Sequence, residues 1–411
     1  MSCPISRRTL LGACAAAAAL RPRLTRAADR PIRIGVLTDM AGPYAANTGL
    51  GSVLGAQMAV EDFMRANASI TAEVVQADLQ LKPDVAVAIA RDWYDNQGVD
   101  VVTDVPLSSA AFAIADLARQ KDKVAIFTGA ASAAVTGEKC GPNHIHFVYD
   151  TWSMPHAVVD AAVRDGRDTW FFITADYAFG HSLQKDAAGF VTDAGGKVLG
   201  KALAPFPGTT DFSAFLLQAK ASGAKVIGLA NGGGDTVNCI KQAAEFGIMQ
   251  GGQQVAGLLV LIQDIHGVGL QAAQGVLVTE PYYWNLNAGT REFGLRFARR
   301  MNGAVPNSVQ AGQYAAVLHY LKTVVAMGPD LARASGRAAV TQMKAIPTDD
   351  AVFGKGTVRK DGRVVHDMHL FEVKSPAESK EPWDYYTFKR TVPAEQAFRP
   401  LDQGSCALAN S

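Results

Sequence analysis

The feature that most limits what this chain can become is a recurring unit of apolar run, small-residue loop and amphipathic helix. Lys225–Ile248 (KVIGLANGGGDTVNCIKQAAEFGI) shows it in full. Short apolar runs alternating with helices call for a parallel sheet, because parallel strands need a crossover between them. In such sheets ligands sit beyond the carboxyl ends of the strands. Here those ends carry small, hydroxyl and aromatic residues and no recognisable catalytic set. The pattern predicts a two-lobed receptor for a small molecule and not an enzyme.

The units can be followed along the chain. Ile32–Leu37 (IRIGVL) reads as the first strand, with the loop Thr38–Thr48 after it and a helix near Gly51–Arg65 whose Val53, Ala56, Val60 and Phe63 form one apolar face. Pro83 opens the next helix, where its missing N–H costs nothing. Val99–Val105 and Lys123–Phe127 continue this first sheet. A second set follows at Asp168–Thr174, Lys197–Ala202, Lys225–Ala230 and Val255–Leu261. His146–Asp150 and Thr279–Trp284 fall where one set ends and are expected to cross between lobes; helices near Thr290–Met301 and Gln310–Met327 return to the first. Lys360-Asp361-Gly362 between β-rich runs is a hairpin signal. A chain of 411 residues exceeds what one core usually serves. The expected division is lobe 1 over residues 28–149 and 284–350, lobe 2 over 150–283 and 351–400, and an irregular tail over 401–411.

The start of the chain reads as an export signal over residues 1–27: Arg7 and Arg8, then an apolar stretch Leu10–Leu20 too short to span a bilayer, then Thr25-Arg26-Ala27. Ser6–Leu11 resembles a twin-arginine signal, with Leu10 in place of the more usual Phe. A periplasmic mature protein is expected. It keeps Cys140, Cys239 and Cys406, for which one disulfide and one buried thiol is the simplest arithmetic. Cys140 lies in a turn and Cys406 in the tail, so Cys140–Cys406 is the expected pair, with geometry to decide it. The formal net charge of +1, from 39 basic and 38 acidic residues, gives no reason to expect nucleic acid.

Other motifs carry less. Gly232-Gly233-Gly234 follows a strand and opens a helix, yet lacks the spacing of a dinucleotide site. It suits close approach of a carboxylate or of the opposite lobe. His144 and His146, and the run His366–His369, have no partners at metal-ligand spacing, so no metal or other cofactor is expected. There is no G-x-S-x-G or H-E-x-x-H. Asp39, Asp150, Asp176, Asp235 and Asp264 sit at loop starts, where capping and turn formation are the usual roles.

The ordered pieces IRIGVLTDMAGPYA, VPLSSAA (Val105–Ala111), FTGAASAAVT (Phe127–Thr136), DYAFG (Asp176–Gly180), TTDFSAFLLQAKASGAKVIGLA, KQAAEFGI and QYAAVLHYLKTVVAMG span nearly the whole mature chain. Through them it resembles the solute-binding proteins of branched-chain amino acid ABC importers, and more narrowly a branch associated with aromatic acids. The resemblance implies the type I periplasmic binding fold: two Rossmann-like α/β lobes with parallel sheets, joined by three crossing segments and closing like a hinge. It implies that Ser108 and Ser109, with Ala130, Ala131 and Ser132, hold a ligand carboxylate. Hydroxyls and backbone N–H groups are the donors such a group needs. From the second lobe Tyr177 and Asn231-Gly232-Gly233 are expected to face the ligand. Where amino-acid binders hold the ammonium, Asp264 falls nearest, with Glu280 competing. The family's disulfide near the first-lobe cleft is missing: Leu81 or a neighbour, and Leu107, stand where cysteines would be.

Tyr44, Tyr149, Trp152, Tyr177, Tyr282, Tyr283 and Trp284 enrich the expected cleft in rings, which suits a planar aromatic acid; Asp150, beside Tyr149, is included among the ligand-facing residues. The expected role is capture of a small carboxylate, either an aromatic acid or a hydrophobic amino acid, by a monomer that delivers it to an ABC permease. A ligand-sensing module reporting to a signalling partner is the alternative.

Overall fold

The computed structural model describes residues 30–410, and the expected export signal lies outside the described residues. Two parallel sheets form the frame. The first has the order β2-β1-β3-β4-β5, from β1 (Ile32–Thr38), β2 (Ala72–Asp78), β3 (Val101–Asp104), β4 (Val124–Phe127) and β5 (His144–His146). The second has the order β7-β6-β8-β9, from β6 (Thr169–Ala175), β7 (Lys197–Ala204), β8 (Val226–Ala230) and β9 (Gln254–Gly257). Every pairing within both is parallel. Their central strands are buried on both faces, so they read as continuous apolar runs without alternation.

Two small antiparallel sheets complete the strands of the described residues. β10 (Leu277–Glu280) pairs antiparallel with β14 (Met368–Val373), which pairs with β15 (Tyr386–Val392). β11 (Thr348–Asp350), β12 (Gly354–Val358) and β13 (Val364–Val365) form a small meander with a hairpin at Lys360-Asp361-Gly362. That hairpin reaches the first sheet: the His146 N–H donates to the Gly362 carbonyl at 2.9 Å. The residues after Cys140's turn and around Cys406 are tied by a Cys140–Cys406 disulfide with a Cα–Cα distance of 5.7 Å, while Cys239 is a buried thiol. The tail winds into two short 3-10 turns, Leu401–Gln403 and Ala407–Asn410, instead of remaining irregular.

Local chemistry explains how the cleft is approached. The helix Gly49–Ala66 packs against the helix Ser308–Met327 so closely that a Cβ on Gly55 would meet the Gln310 carbonyl at 2.3 Å. After β3 the backbone turns sharply, with Asp104 at φ 75° and Val105 at φ 55°. Left-handed conformations cost about 1–3 kcal/mol for non-glycine residues and persist only where the surroundings enforce them. Here the Gly129 N–H donates to the Asp104 carbonyl at 3.2 Å, and the Thr128 hydroxyl to the Asp104 carboxylate at 3.2 Å. Burial pushes the Asp104 carboxyl up to about 6. The result sets Pro106 beside the loop 128–132.

One expected strand is shorter. Val255–Leu261 reads as a single apolar run, but β9 stops at Gly257, where a Cβ would meet Val260 at 2.1 Å as the chain folds back. The remaining residues Leu258–Leu261 are apolar because they are buried in a loop, not because they extend the sheet.

Candidate ligand site between the lobes

The carboxyl ends of the strands of both sheets meet around a small cavity of about 30 Å³. Tyr44, Asn47 and Thr48 come from the loop after β1, Pro106 follows β3, and Gly129 and Ala131 follow β4. From the other side come Tyr177 and Phe179 after β6, Gly232 and Gly233 after β8, and Leu259 and Leu261 after β9; Tyr149 enters from the crossing after β5.

The lobes touch directly across it. The Tyr44 and Tyr177 hydroxyls lie 2.5 Å apart, and Phe206 stacks on both rings at centroid distances of 5.4 and 4.5 Å. The Gly234 N–H donates to the Pro43 carbonyl at 3.0 Å. The Asn47 amide donates to the Asp264 carboxylate at 2.9 Å. The state described is therefore closed. Burial, followed by the neighbouring Tyr177, raises the Tyr44 phenol well above its ordinary value, so the pair meets as neutral hydroxyls.

Of the expected carboxylate-holding residues only Ala131 lines the cavity; Ser108, Ser109, Ala130 and Ser132 lie outside the lining, next to it. Ser108 and Ser109 begin the helix Ser108–Lys121, not a loop, and Leu107 at its N-cap offers no side-chain cap. The first intrahelical bond runs from the Ala111 N–H to Leu107, so the N–H groups of Ser108, Ser109 and Ala110 have no partner among the described residues. The Ser108 hydroxyl accepts from the Ser132 N–H at 3.3 Å, which joins the helix start to the loop after β4. Among the described residues the Ala131 N–H has no hydrogen-bond partner, and Ala131 lines the cavity. Ala130 is buried beneath it, its carbonyl bonded to the His146 ring at 2.7 Å. Ser132 caps the short turn Ala133–Val135, accepting from the Ala134 N–H. Open N–H groups at a helix start, aided by its dipole, suit an anion.

Other expected residues lie outside the lining. Asp150 accepts from the Ser153 N–H at 2.8 Å and faces the Arg363 guanidinium at 3.7 Å, a hinge role. Asn231 accepts from the Thr236 hydroxyl at 2.6 Å, bracing the start of the next helix. Tyr283 points to Trp383 and Asp384, Trp284 donates to the Trp383 carbonyl, Tyr282 bonds Thr290, and Trp152 packs on His156 and Phe190. Of the expected rings, Tyr44, Tyr149 and Tyr177 reach the cavity. Asn47, Thr48, Phe179, Leu259 and Leu261 join them without having been singled out in the sequence.

Both acidic candidates are engaged elsewhere. Asp264 accepts from the Leu261 N–H at 2.8 Å, capping the helix Ile262–Val268, and from Asn47. Glu280 accepts from the Ser308 hydroxyl and the Tyr386 hydroxyl, each at 2.9 Å. Burial pushes Asp264 up to about 6 and Glu280 up to about 8, the latter with help from Asp264. A carboxyl whose folded pKa is raised contributes stability below its unfolded value and loses it as pH rises through the folded one. Glu280→Gln keeps the shape without the titration, so its melting temperature should fall less than that of the unsubstituted protein between pH 5 and 8. Parallel curves in a pH series of thermal melts would remove Glu280 from that role.

A two-lobed α/β protein closed around a small cavity at the carboxyl ends of both sheets, with no charged side chain among the described lining residues, has the architecture of a ligand receptor of the hinge-closing class. Residues 31–380 match the periplasmic binding protein family, and the chain belongs to that family. A periplasmic binding protein from Burkholderia mallei is 43% identical over 92% of this chain and 99% of its own, with a TM-score of 0.88. A branched chain amino acid ABC transporter periplasmic ligand-binding protein from Burkholderia xenovorans is 40% identical over 92% of this chain and 100% of its own, with a TM-score of 0.80. A solute binding protein of an ABC transporter from Rhodopseudomonas palustris, in complex with 3,4-dihydroxy benzoic acid, shares the fold at 21% identity over 89% of this chain and 98% of its own, with a TM-score of 0.75. No match is found among curated proteins. The chain is thus a periplasmic solute-binding protein of the ABC transporter kind, a family that implies export to the periplasm and binding without catalysis.

Proposed function

We propose that this protein captures a small aromatic carboxylate without an amine and hands it, with the lobes closed, to an ABC permease. The observation that carries this reading is the cavity lining, in which no side chain bears an acidic or basic group and four carry aromatic rings. An amino acid would bring an ammonium group that finds no carboxylate in the lining, because those of Asp264 and Glu280 are held by other partners. An unpaired buried ammonium costs several kcal/mol. The carboxylate, by contrast, would meet the Ala131 N–H, on a loop that Ser132 joins to the start of the helix Ser108–Lys121. The R. palustris protein of the same fold is in complex with 3,4-dihydroxy benzoic acid, so a ligand of this chemistry is compatible with the frame.

Mechanism follows from the two walls. The first lobe supplies the carboxylate donors, and Tyr177, Phe179, Gly233 and Leu259 complete the lining from the second lobe in the closed state. Contacts with those residues give the ligand its differential affinity for the closed state. Thermal stabilisation of ligand-stripped protein tests the reading. Benzoate and hydroxycinnamates at 100 times their dissociation constant should stabilise by about 2.7 kcal/mol, with no shift from leucine, isoleucine or valine. A shift with the aliphatic amino acids alone would overturn it.

A further inference from the structure

Among the cavity-lining side chains, Asn47 stands apart. It is 4% exposed, and its Oδ1 is buried with no hydrogen-bond partner among the described residues. Its other polar atoms are committed. The amide Nδ2 donates to Asp264 Oδ1 at 2.9 Å, the backbone N–H donates to the Tyr44 carbonyl at 2.9 Å, and the backbone carbonyl accepts from Asn307 Nδ2 at 3.0 Å. Asp264 is held in turn by the Leu261 N–H at 2.8 Å. Because Asp264 Oδ1 accepts, it draws the NH2 end of the amide toward itself and leaves the oxygen without a partner. The helix that carries Asp264 belongs to the second sheet's lobe, and Asn47 belongs to the first. The amide is therefore fixed only when the lobes meet.

A buried acceptor without a donor is costly, and native proteins rarely leave one so. A site built with such an acceptor favours a ligand that brings the matching donor and penalises the analogue that lacks it. A single amide oxygen matches a single neutral donor; an ammonium would bring three donors and a full charge. Resting on the aromatic-carboxylate reading above, we propose that Asn47 is a specificity-determining residue whose Oδ1 accepts from a ring hydroxyl of the ligand. The preferred ligand is then a hydroxylated aromatic carboxylate. Asp264 is a positioning residue, acting through the Asn47 amide, and the hydroxyl is read as the lobes close.

Calorimetric titration with benzoate, 3-hydroxybenzoate and 4-hydroxybenzoate tests this in the unsubstituted protein, Asn47→Leu and Asp264→Ala. The unsubstituted protein should prefer one of the hydroxybenzoates to benzoate by about tenfold or more. Asn47→Leu should bring that ratio close to one, whatever its effect on benzoate itself, and Asp264→Ala, which frees the amide to turn, should lower the ratio several-fold. A ratio between ligands is not moved by a general loss of stability. Equal affinities for all three acids in the unsubstituted protein, a comparison that needs no variant, would overturn the proposal, as would a preference that survives Asn47→Leu. If none of the three acids bound, the aromatic-carboxylate reading itself would fall, so the two failures are told apart.

Discussion

Gly233→Val is expected to hold the lobes apart and to weaken ligand binding by about tenfold to a hundredfold. Gly233 sits at φ 59°, and a Cβ there would lie 2.4 Å from the Pro43 carbonyl oxygen and 2.9 Å from the Tyr44 ring. Pro43 and Tyr44 belong to the opposite lobe, so this overlap arises on closure. The neighbouring bond from the Gly234 N–H to the Pro43 carbonyl at 3.0 Å would have to lengthen as the branched side chain entered. Overfilling a packed contact costs about 1–3 kcal/mol. The overlap penalty falls on the closed state, which is the state the ligand must select, while the strain of a valine at this positive φ burdens both states alike. Small-angle scattering should show the unsubstituted protein contracting with ligand and the variant keeping its open dimensions at the same ligand concentration. Unchanged affinity together with normal contraction would mean that the lobes do not close on the contact described.

Arg363→Met should cause the largest loss of stability among single substitutions considered. The guanidinium is completely buried, donates to the Tyr149 carbonyl and the Val364 carbonyl at 2.9 Å each, faces Asp150 at 3.7 Å and lies over the Phe398 ring at 4.7 Å. Burial brings its pKa down to about 10, which still leaves it charged at neutral pH. Methionine would fill much of the volume but strand the Asp150 carboxylate and the two carbonyls. Removing one partner of a buried ion pair costs about 3–5 kcal/mol. At about 2–4 °C per kcal/mol, the melting temperature should fall by about 6–20 °C. Tyr149 and Asp150 lie on the crossing after β5, and Arg363 directly precedes β13, so the loss also loosens the contact between these two segments. Asp150→Asn combined with Arg363→Met should recover part of the deficit, since the stranded charge is gone. A fall of only 1–2 °C would show that the arginine is not a structural centre of that contact.

Much of the frame was readable because each unit carries its own signal. The buried strands are apolar runs, the helices have one apolar face, and the hairpin at Lys360-Asp361-Gly362 is marked by its turn residues. β2 (AEVVQAD) escaped notice because an edge strand with a half-exposed burial pattern presents neither a pure apolar run nor a clean alternation. The site was harder. Tyr44, Tyr149 and Tyr177 reach the cavity, whereas Tyr282–Trp284 turn away because their partners include Trp383, about a hundred positions along the chain. Nothing local announces such a pairing. Asn47 sits in a loop of small residues, and its importance lies in Asp264, 217 positions away. Leu259 and Leu261 looked like strand residues because hydrophobicity reports burial and not what does the burying.

The central claim is that the cavity accepts a carboxylate and has no place for an ammonium. Phenylacetate and phenylglycine differ by that group alone, with the ring and carboxylate shared. Equilibrium titration of ligand-stripped protein with the two should give measurable binding of phenylacetate and at least a hundredfold weaker binding of phenylglycine, as about 3 kcal/mol or more of unpaired charge requires. Equal or tighter binding of phenylglycine would show that a carboxylate, with Asp264 the first to examine, turns into the cavity and that the protein is an amino-acid carrier.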